Sequence, residues 1–212
     1  MMNKTERTIV GLVIAVICPA SLFFLFWWIS AALSIFHILP VPQNWIGIIA
    51  VSGLFLGIVL DAFYLRRWME RFYNVNTTFM MVAYLFWSAI AVALSMGLPL
   101  LNIALGILAG LYIGRKRLHE QAARDAFRKT AWKVSLFTAL VTGLEALPIG
   151  LLGLKEELTK EISGSTAGLS RSFITGPADI AIIIMLCLIL TVIQFLCTRA
   201  AAKFAFGLGA SP

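Results

Sequence analysis

Long apolar runs, separated by short polar segments, dominate the pattern of hydrophobic and polar positions along the chain. A helix needs roughly 20 apolar residues to cross the hydrocarbon core of a bilayer. Six runs come close to or reach that length, and strand-like alternation of apolar and polar residues is absent from them. The predicted spans are residues 8–28, 46–65, 77–97, 99–114, 134–154 and 179–198. The pattern therefore predicts an all-α, polytopic membrane helix bundle, with residues 1–212 forming a single membrane domain.

The first apolar run is too long for one simple span. Residues 8–39 in a single helix would measure about 48 Å, whereas the hydrocarbon core is about 30 Å thick. Tryptophan side chains favour the membrane interface, so the span is expected to end near Trp27 and Trp28, with residues 29–39 lying along the outer surface. A tilted helix kinked at Pro19 is the alternative.

Basic residues concentrate on one side of the predicted spans. With the N-terminus in the cytoplasm, 14 of the 17 Lys and Arg residues fall in cytoplasmic segments. The three in outer segments are Lys155, Lys160 and Arg171. Because cytoplasmic loops are enriched in Lys and Arg, both termini are expected inside, in a multi-pass protein of a cell membrane, which we expect to be a prokaryotic plasma membrane. The net charge of +7 then reflects topology, and no nucleic-acid partner is expected.

Two loops are long enough to have roles of their own. Cytoplasmic residues 115–133 carry seven basic and two acidic residues, with apolar residues at roughly helical spacing. This composition is typical of an amphipathic helix that binds anionic lipids; a solvated connector and a docking surface for a cytoplasmic partner are the alternatives. The outer loop, residues 155–178, starts with charges at helical spacing and continues with a flexible composition. It fits either a tether or a lid.

Composition supports the membrane assignment and argues against cofactors. The chain is 60% hydrophobic and only 13% charged, whereas soluble domains average about 25% charged residues. Its mean hydropathy is +0.93. Three cysteines lie within apolar runs at no metal-ligand spacing, and the two histidines are far apart in sequence. No metal site and no cofactor are therefore expected.

Glu145 is a carboxylate near the middle of the predicted span 134–154. A charge at the bilayer midplane costs at least about 2.5 kcal/mol, so the side chain must face protein or water, or be neutral. Spacings of 3, 4 and 3 residues place it on one helical stripe with Ser135, Thr138 and Thr142. Pro148 frees the carbonyl four residues before it. The stripe predicts a site for a proton, a cation or an amine; a protonated glutamate in an interhelical hydrogen bond is the alternative.

Small residues mark two helix-packing faces, each with a polar side chain. Gly53, Gly57 and Asp61 follow one another at four-residue intervals, as do Asn102, Gly106, Gly110 and Gly114. Such spacing lets a second helix approach closely, so Asp61 and Asn102 are expected to face protein. Both are candidates to line the Glu145 site. The alternatives are a salt bridge from Asp61 to Arg66 or to a neighbouring loop, and a simple interhelical hydrogen bond from Asn102.

Other polar residues in the spans also share helix faces, and Gln194 among them is interpreted as a structural residue. Tyr84 and Ser88 share a face of the third span, and Thr191, Gln194 and Thr198 share a face of the last. The candidate ligand- or ion-binding residues are Glu145, Thr142, Thr138, Asn102 and Asp61.

Two functions fit these residues. No catalytic motif or Ser–His arrangement is present, so an enzyme is not expected. The first hypothesis is a small transport or solute- or cation-binding protein with a polar site around Glu145. The second is a non-catalytic structural or accessory subunit of a larger membrane complex. Besides the lipid bilayer, the expected partners are further copies of the chain or other membrane subunits, because the glycine faces suit close contacts between helices.

Overall fold

The computed structural model describes residues 4–39, 42–95, 99–162 and 177–208, and side chains within these ranges except in 152–162 and 177–179. The described residues form six helices and no strand. The helices are α1 (Lys4–Ile35), α2 (Gln43–Arg71), α3 (Thr77–Leu94), α4 (Leu101–His119), α5 (Arg124–Ile162) and α6 (Pro177–Gly207), with a 3₁₀ turn, Phe72–Asn74, after α2. The predicted all-α helix bundle is confirmed.

Five of the six helices, all except α4, are long and apolar enough to cross a membrane, judged by length and composition. The fourth, α4, has 19 residues and ends in the basic sequence RKRLH. Large apolar side chains remain exposed along the helices, for example Phe63 and Leu144 at 79% and 70%. Such surfaces are expected where a helix faces lipid, because the hydrocarbon core favours apolar groups.

The long first run forms one unbroken helix. α1 extends from Lys4 to Ile35 with Pro19 inside it, which matches the single-helix alternative. Proline is tolerated inside such helices because neighbouring groups compensate for the hydrogen bond that it removes. After α1 the chain turns at His37, which has a positive φ of 53°.

Both predicted loops contain residues that are helical in the structure. Residues 115–119 belong to the end of α4, and residues 124–133 belong to the start of α5. A turn with Gln121 at a positive φ of 49° joins them. In the outer loop, α5 continues to Ile162 and α6 begins at Pro177. Residues 163–176, where the tether or lid was predicted, lie outside the described residues.

The chain divides into two compact units, Met1–Asn76 and Thr77–Pro212, where the sequence pattern predicted a single membrane domain. In the first unit, α1 and α2 pack through the predicted glycine face. A Cβ atom on Gly53 would lie 2.6 Å from the carbonyl oxygen of Leu22, and one on Gly57 would collide with the backbone of Pro19. Such distances are shorter than a van der Waals contact. Only glycine therefore permits this separation of the two helices.

In the second unit, the glycines of α4 lie against the backbone of α6. A Cβ on Gly110 would collide with the carbonyl oxygen of Thr198, and one on Gly114 with that of Ala202. A side chain larger than hydrogen at Gly110 or Gly114 would therefore meet the backbone of α6. The partner helix, α6, carries small side chains at the contact, which also favours close approach.

Aromatic residues pack together at one end of the second unit. The rings of Phe127 and Phe206 stack with their centroids 4.0 Å apart, within an apolar cluster that includes Ile113 and Ala202. This cluster joins the start of α5 to the ends of α4 and α6. Nearby, the guanidinium of Arg199 lies 5.0 Å from the ring of Trp132, a distance at which cation–π attraction operates. These contacts fix the register of the helices that carry the polar residues.

Candidate functional site

The polar stripe of α5 faces the interior of the second unit. The side chains of Ser135, Thr138 and Thr142 are fully buried, whereas Leu140 and Leu144 on the other side of the helix are exposed. Glu145 continues the stripe and is half-buried. Helical periodicity alone accounts for this division, because residues three and four apart share one face.

Three helices supply the groups that meet at the Glu145 carboxylate. The hydroxyl of Ser88 on α3 lies 2.9 Å from Oε1 and 2.7 Å from Oε2 and can donate a hydrogen bond to either. The amide nitrogen of Asn102 on α4 donates to Oε2 at 2.5 Å. The same nitrogen also donates to the Ser88 hydroxyl oxygen at 2.9 Å. The carboxylate thus acts as an acceptor for two neighbours, and hydrogen bonds of this kind stabilise negative charge.

Gln194 extends the group to α6. Its Nε2 donates to the main-chain carbonyl oxygen of Asn102 at 3.0 Å and to the hydroxyl of Tyr84 at 3.2 Å. Gln194 can occupy this position because residue 106 is glycine: a Cβ there would collide with Nε2 of Gln194. The glycine face of α4 therefore shapes the polar site as well as the helix contact.

The other hydroxyl groups on the stripe mainly satisfy their own helix. Ser135 donates to the carbonyl of Ala131 at 2.8 Å, and Thr142 donates to the carbonyl of Thr138 at 3.1 Å. The Thr138 hydroxyl additionally lies 3.0 Å from that of Thr198 on α6. A hydroxyl that donates to a carbonyl of its own helix keeps a hydrogen bond when it is buried. Thr138 therefore ties α5 to α6, and no hydrogen bond described for it reaches Glu145.

Two acceptor atoms of this group have no partner among the described residues. They are Oδ1 of Asn102 and Oε1 of Gln194, and both side chains are fully buried. A buried acceptor without a hydrogen bond costs about 1–3 kcal/mol, and buried polar atoms in proteins are nearly always satisfied. The Gln194 side chain also donates to the main-chain carbonyl of Asn102, so the two residues are in contact. The two acceptor atoms are therefore available to a further ligand, a water molecule or an ion.

Asp61 lies in the first unit, whereas the other four predicted site residues lie in the second. It is buried, with 7% of its surface exposed, and neither of its carboxylate oxygens accepts a hydrogen bond from a described residue. Cys18 lies beside it, but the Cys18 thiol bonds to the carbonyl of Gly57 at 3.8 Å. Of the alternative salt bridges, the one to Arg66 is not found among the described side chains, where Arg66 lies 3.6 Å from Glu70. A contribution from Asp61 to the Glu145 site stays a prediction.

The structure thus joins Glu145 directly to Asn102 and places Thr142 and Thr138 on the same buried face. It adds Ser88, Tyr84 and Gln194, which the sequence analysis had not included in the site. Their signal was present in the sequence as polar residues at helical spacing within apolar spans. That signal shows which residues share a face of one helix and leaves open which faces of two helices meet.

The chemistry of the group is that of an acceptor site. It offers one carboxylate, two amide oxygens and several hydroxyls, and the described residues contain no cluster of three or more His, Cys, Asp or Glu side chains that could hold a metal ion. Comparisons with protein-family models, with curated proteins and with solved structures found no match. Any functional conclusion must therefore come from the site itself.

Proposed function

We propose that this protein is a small integral membrane protein that binds and transports a cation or a cationic solute at Glu145. The observation that carries the proposal is the arrangement around this carboxylate. Ser88 and Asn102, from two other helices, hold it in place as an acceptor. No ion pair from a described Lys, Arg or His to Glu145 is found, whereas Arg66 pairs with Glu70 and Arg117 with Glu120.

The energetics favour a site that accepts positive charge. Placing a carboxylate in the middle of a membrane helix costs at least about 2.5 kcal/mol. Hydrogen bonds to a charged group return about 1.5–3 kcal/mol each, so Ser88 and Asn102 offset the cost without neutralising the charge. Glu145 is half-buried while both of its partners are fully buried. The carboxylate is therefore the part of the group that an incoming cation reaches first.

The helix that carries Glu145 also supports a transport role. Pro148 lies inside α5, three residues after Glu145, and it has no N–H to donate to the carbonyl of Leu144. Transporters commonly bind ions beside freed backbone carbonyls, and Pro148 frees one such carbonyl inside the otherwise continuous α5. The combination of a carboxylate and a freed carbonyl on adjacent residues suits a site that binds and releases its ligand.

The experiment compares wild-type protein with Glu145→Gln in detergent. The melting temperature is measured across pH and with sodium chloride or methylammonium chloride, each replacing choline chloride at constant ionic strength. A ligand that binds only the folded protein raises its stability by RT ln(1 + [L]/Kd), or about 1.4 kcal/mol when the ligand is at ten times Kd. We expect at least one of these conditions to stabilise the wild type and to leave Glu145→Gln unchanged.

A matched pair of serine variants tests the site geometry. Ser88→Ala removes a donor from the carboxylate, whereas Ser95→Ala, one residue after the end of α3, removes a hydroxyl that donates to the Ala91 carbonyl of that helix. The ligand response should weaken in the first variant and persist in the second. If the wild type and Glu145→Gln respond alike in every condition, Glu145 is an interhelical hydrogen-bonding group. The accessory-subunit hypothesis then becomes the better one, and stoichiometric partners should copurify with the protein.

A further inference from the structure

We propose that the ligand of the Glu145 site is a monovalent alkali cation, coordinated by the Glu145 carboxylate and by the side-chain oxygens of Asn102 and Gln194. This inference rests on the proposed function and specifies its ligand. It starts from the two amide oxygens that are buried without a hydrogen bond, Oδ1 of Asn102 and Oε1 of Gln194. Both lie on fully buried side chains, so solvent at the protein surface does not satisfy them.

The orientation of both amides is fixed by their nitrogen atoms. The Asn102 nitrogen donates to Glu145 and to Ser88, and the Gln194 nitrogen donates to Tyr84 and to the Asn102 main chain. Rotating either amide would place an oxygen where these donors now act. Asn102 would then present an acceptor to the carboxylate, which is repulsive. The hydrogen bonds therefore hold the two oxygens as acceptors that no described residue uses.

The number and type of oxygens select the ligand class. Carboxylate and amide oxygens are hard ligands that suit alkali and alkaline-earth ions. Calcium sites usually combine several carboxylates, whereas this group contains a single one. Magnesium retains most of its water, whereas Asn102 and Gln194 are closed to solvent. One negative charge balances one positive charge. A monovalent ion therefore satisfies the two amide oxygens and neutralises Glu145 at the same time.

An organic amine and a proton fit the group less well. Ser88, Asn102 and Glu145 are in direct hydrogen-bonding contact with one another, so an organic cation would have to separate them in order to reach the amide oxygens. A proton on Glu145 would neutralise the carboxylate and leave both amide oxygens without a partner. A buried water molecule would satisfy the amide oxygens through its own hydrogen bonds and would leave the charge of Glu145 uncompensated.

The test measures the melting temperature of the full-length protein in detergent, with choline chloride replaced stepwise by sodium chloride at constant ionic strength. The variants are Glu145→Gln, Gln194→Met and Thr191→Val. Gln194→Met keeps the length of the side chain and removes its amide oxygen. Thr191→Val is the control on the same helix, because the Thr191 hydroxyl bonds the carbonyl of Cys187 within α6. Each variant is compared with itself in choline, so a change in its basal stability does not affect the result.

The expected result is a saturable rise of about 3–6 °C at ten times Kd in the wild type and in Thr191→Val. In Glu145→Gln and Gln194→Met the rise should be lost. A sodium response that persists in both of these variants would overturn the inference, because the ion would then bind elsewhere. If methylammonium or acid stabilises the wild type through Glu145 while sodium has no effect, the inference fails and the proposed function stands. If none of these ligands acts through Glu145, the proposed function fails as well.

Discussion

Replacing Gly106 by alanine should disturb the polar site and the helix contact together. A Cβ atom at this position would collide with Nε2 of Gln194 and would lie 2.6 Å from the hydroxyl oxygen of Thr198. Both neighbours are fully buried, so neither can move into solvent. The Gln194 amide must withdraw, and its hydrogen bonds to Asn102 and Tyr84 must lengthen or break.

The size of the effect follows from three contributions. Overpacking a close-packed interior costs about 1–3 kcal/mol. Loss of the two hydrogen bonds made by Gln194 adds about 0.5–1.5 kcal/mol for each. Alanine is a better helix former than glycine by about 0.8–1.0 kcal/mol, which acts in the opposite direction. The expected destabilisation of Gly106→Ala is therefore about 1–5 kcal/mol.

The free energy of unfolding is measured by titration with sodium dodecyl sulfate in mixed micelles, with helicity followed by circular dichroism. Gly207→Ala is the control, because a Cβ there would have no atom within 4 Å; its change should stay within about 0.5 kcal/mol. In a Gln194→Ser background, Gly106→Ala should cost at least about 1 kcal/mol less, since the shorter side chain removes the main collision. Equal changes for Gly106→Ala and Gly207→Ala would refute the assigned contact between Gly106 and Gln194.

Two further predictions concern packing away from the site. Gly57→Ala should weaken the pairing of α1 with α2, because its Cβ would meet the backbone of Pro19. Gly47→Ala on the same helix is the control, because a Cβ there meets nothing within 4 Å. Titration with sodium dodecyl sulfate should show a loss of at least about 1 kcal/mol in the free energy of unfolding for Gly57→Ala alone. Phe127→Ala removes a buried ring that stacks on α6 and should cost about 3–5 kcal/mol. Phe204→Ala, at a position 63% exposed, should cost less in the same titration, and equal losses would contradict the assigned core.

Helical elements and their buried faces could be predicted from the sequence because both depend on local periodicity. The stripe Ser135, Thr138 and Thr142 is buried as its spacing requires. The glycine repeat of α4 likewise indicated a close helix contact without naming the partner. These features need only the order of residues within one helix, and a single chain supplies that information completely.

The composition of the site could not be predicted in full because it depends on contacts between distant residues. Asn102 and Glu145 are 43 positions apart, and Gln194 lies 92 positions after Asn102. Gln194 was interpreted as a packing residue near one end of its span. The contact at Gly106 fixes the axial position of α6 against α4, and that position brings the Gln194 amide to the Asn102 carbonyl. A shift of one helical turn, about 5.4 Å, would have left the same sequence pattern without this contact.

The order of the site residues along the chain has a consequence for biosynthesis. A membrane protein is synthesised and inserted from its N-terminus, so earlier helices enter the bilayer before later ones. Ser88 on α3 and Asn102 on α4 both precede Glu145 on α5. We therefore expect the two donors to have been synthesised before the carboxylate enters the bilayer, so that they can reduce the cost of inserting it. Gln194 arrives last, so its amide completes a group that has already formed around the charge.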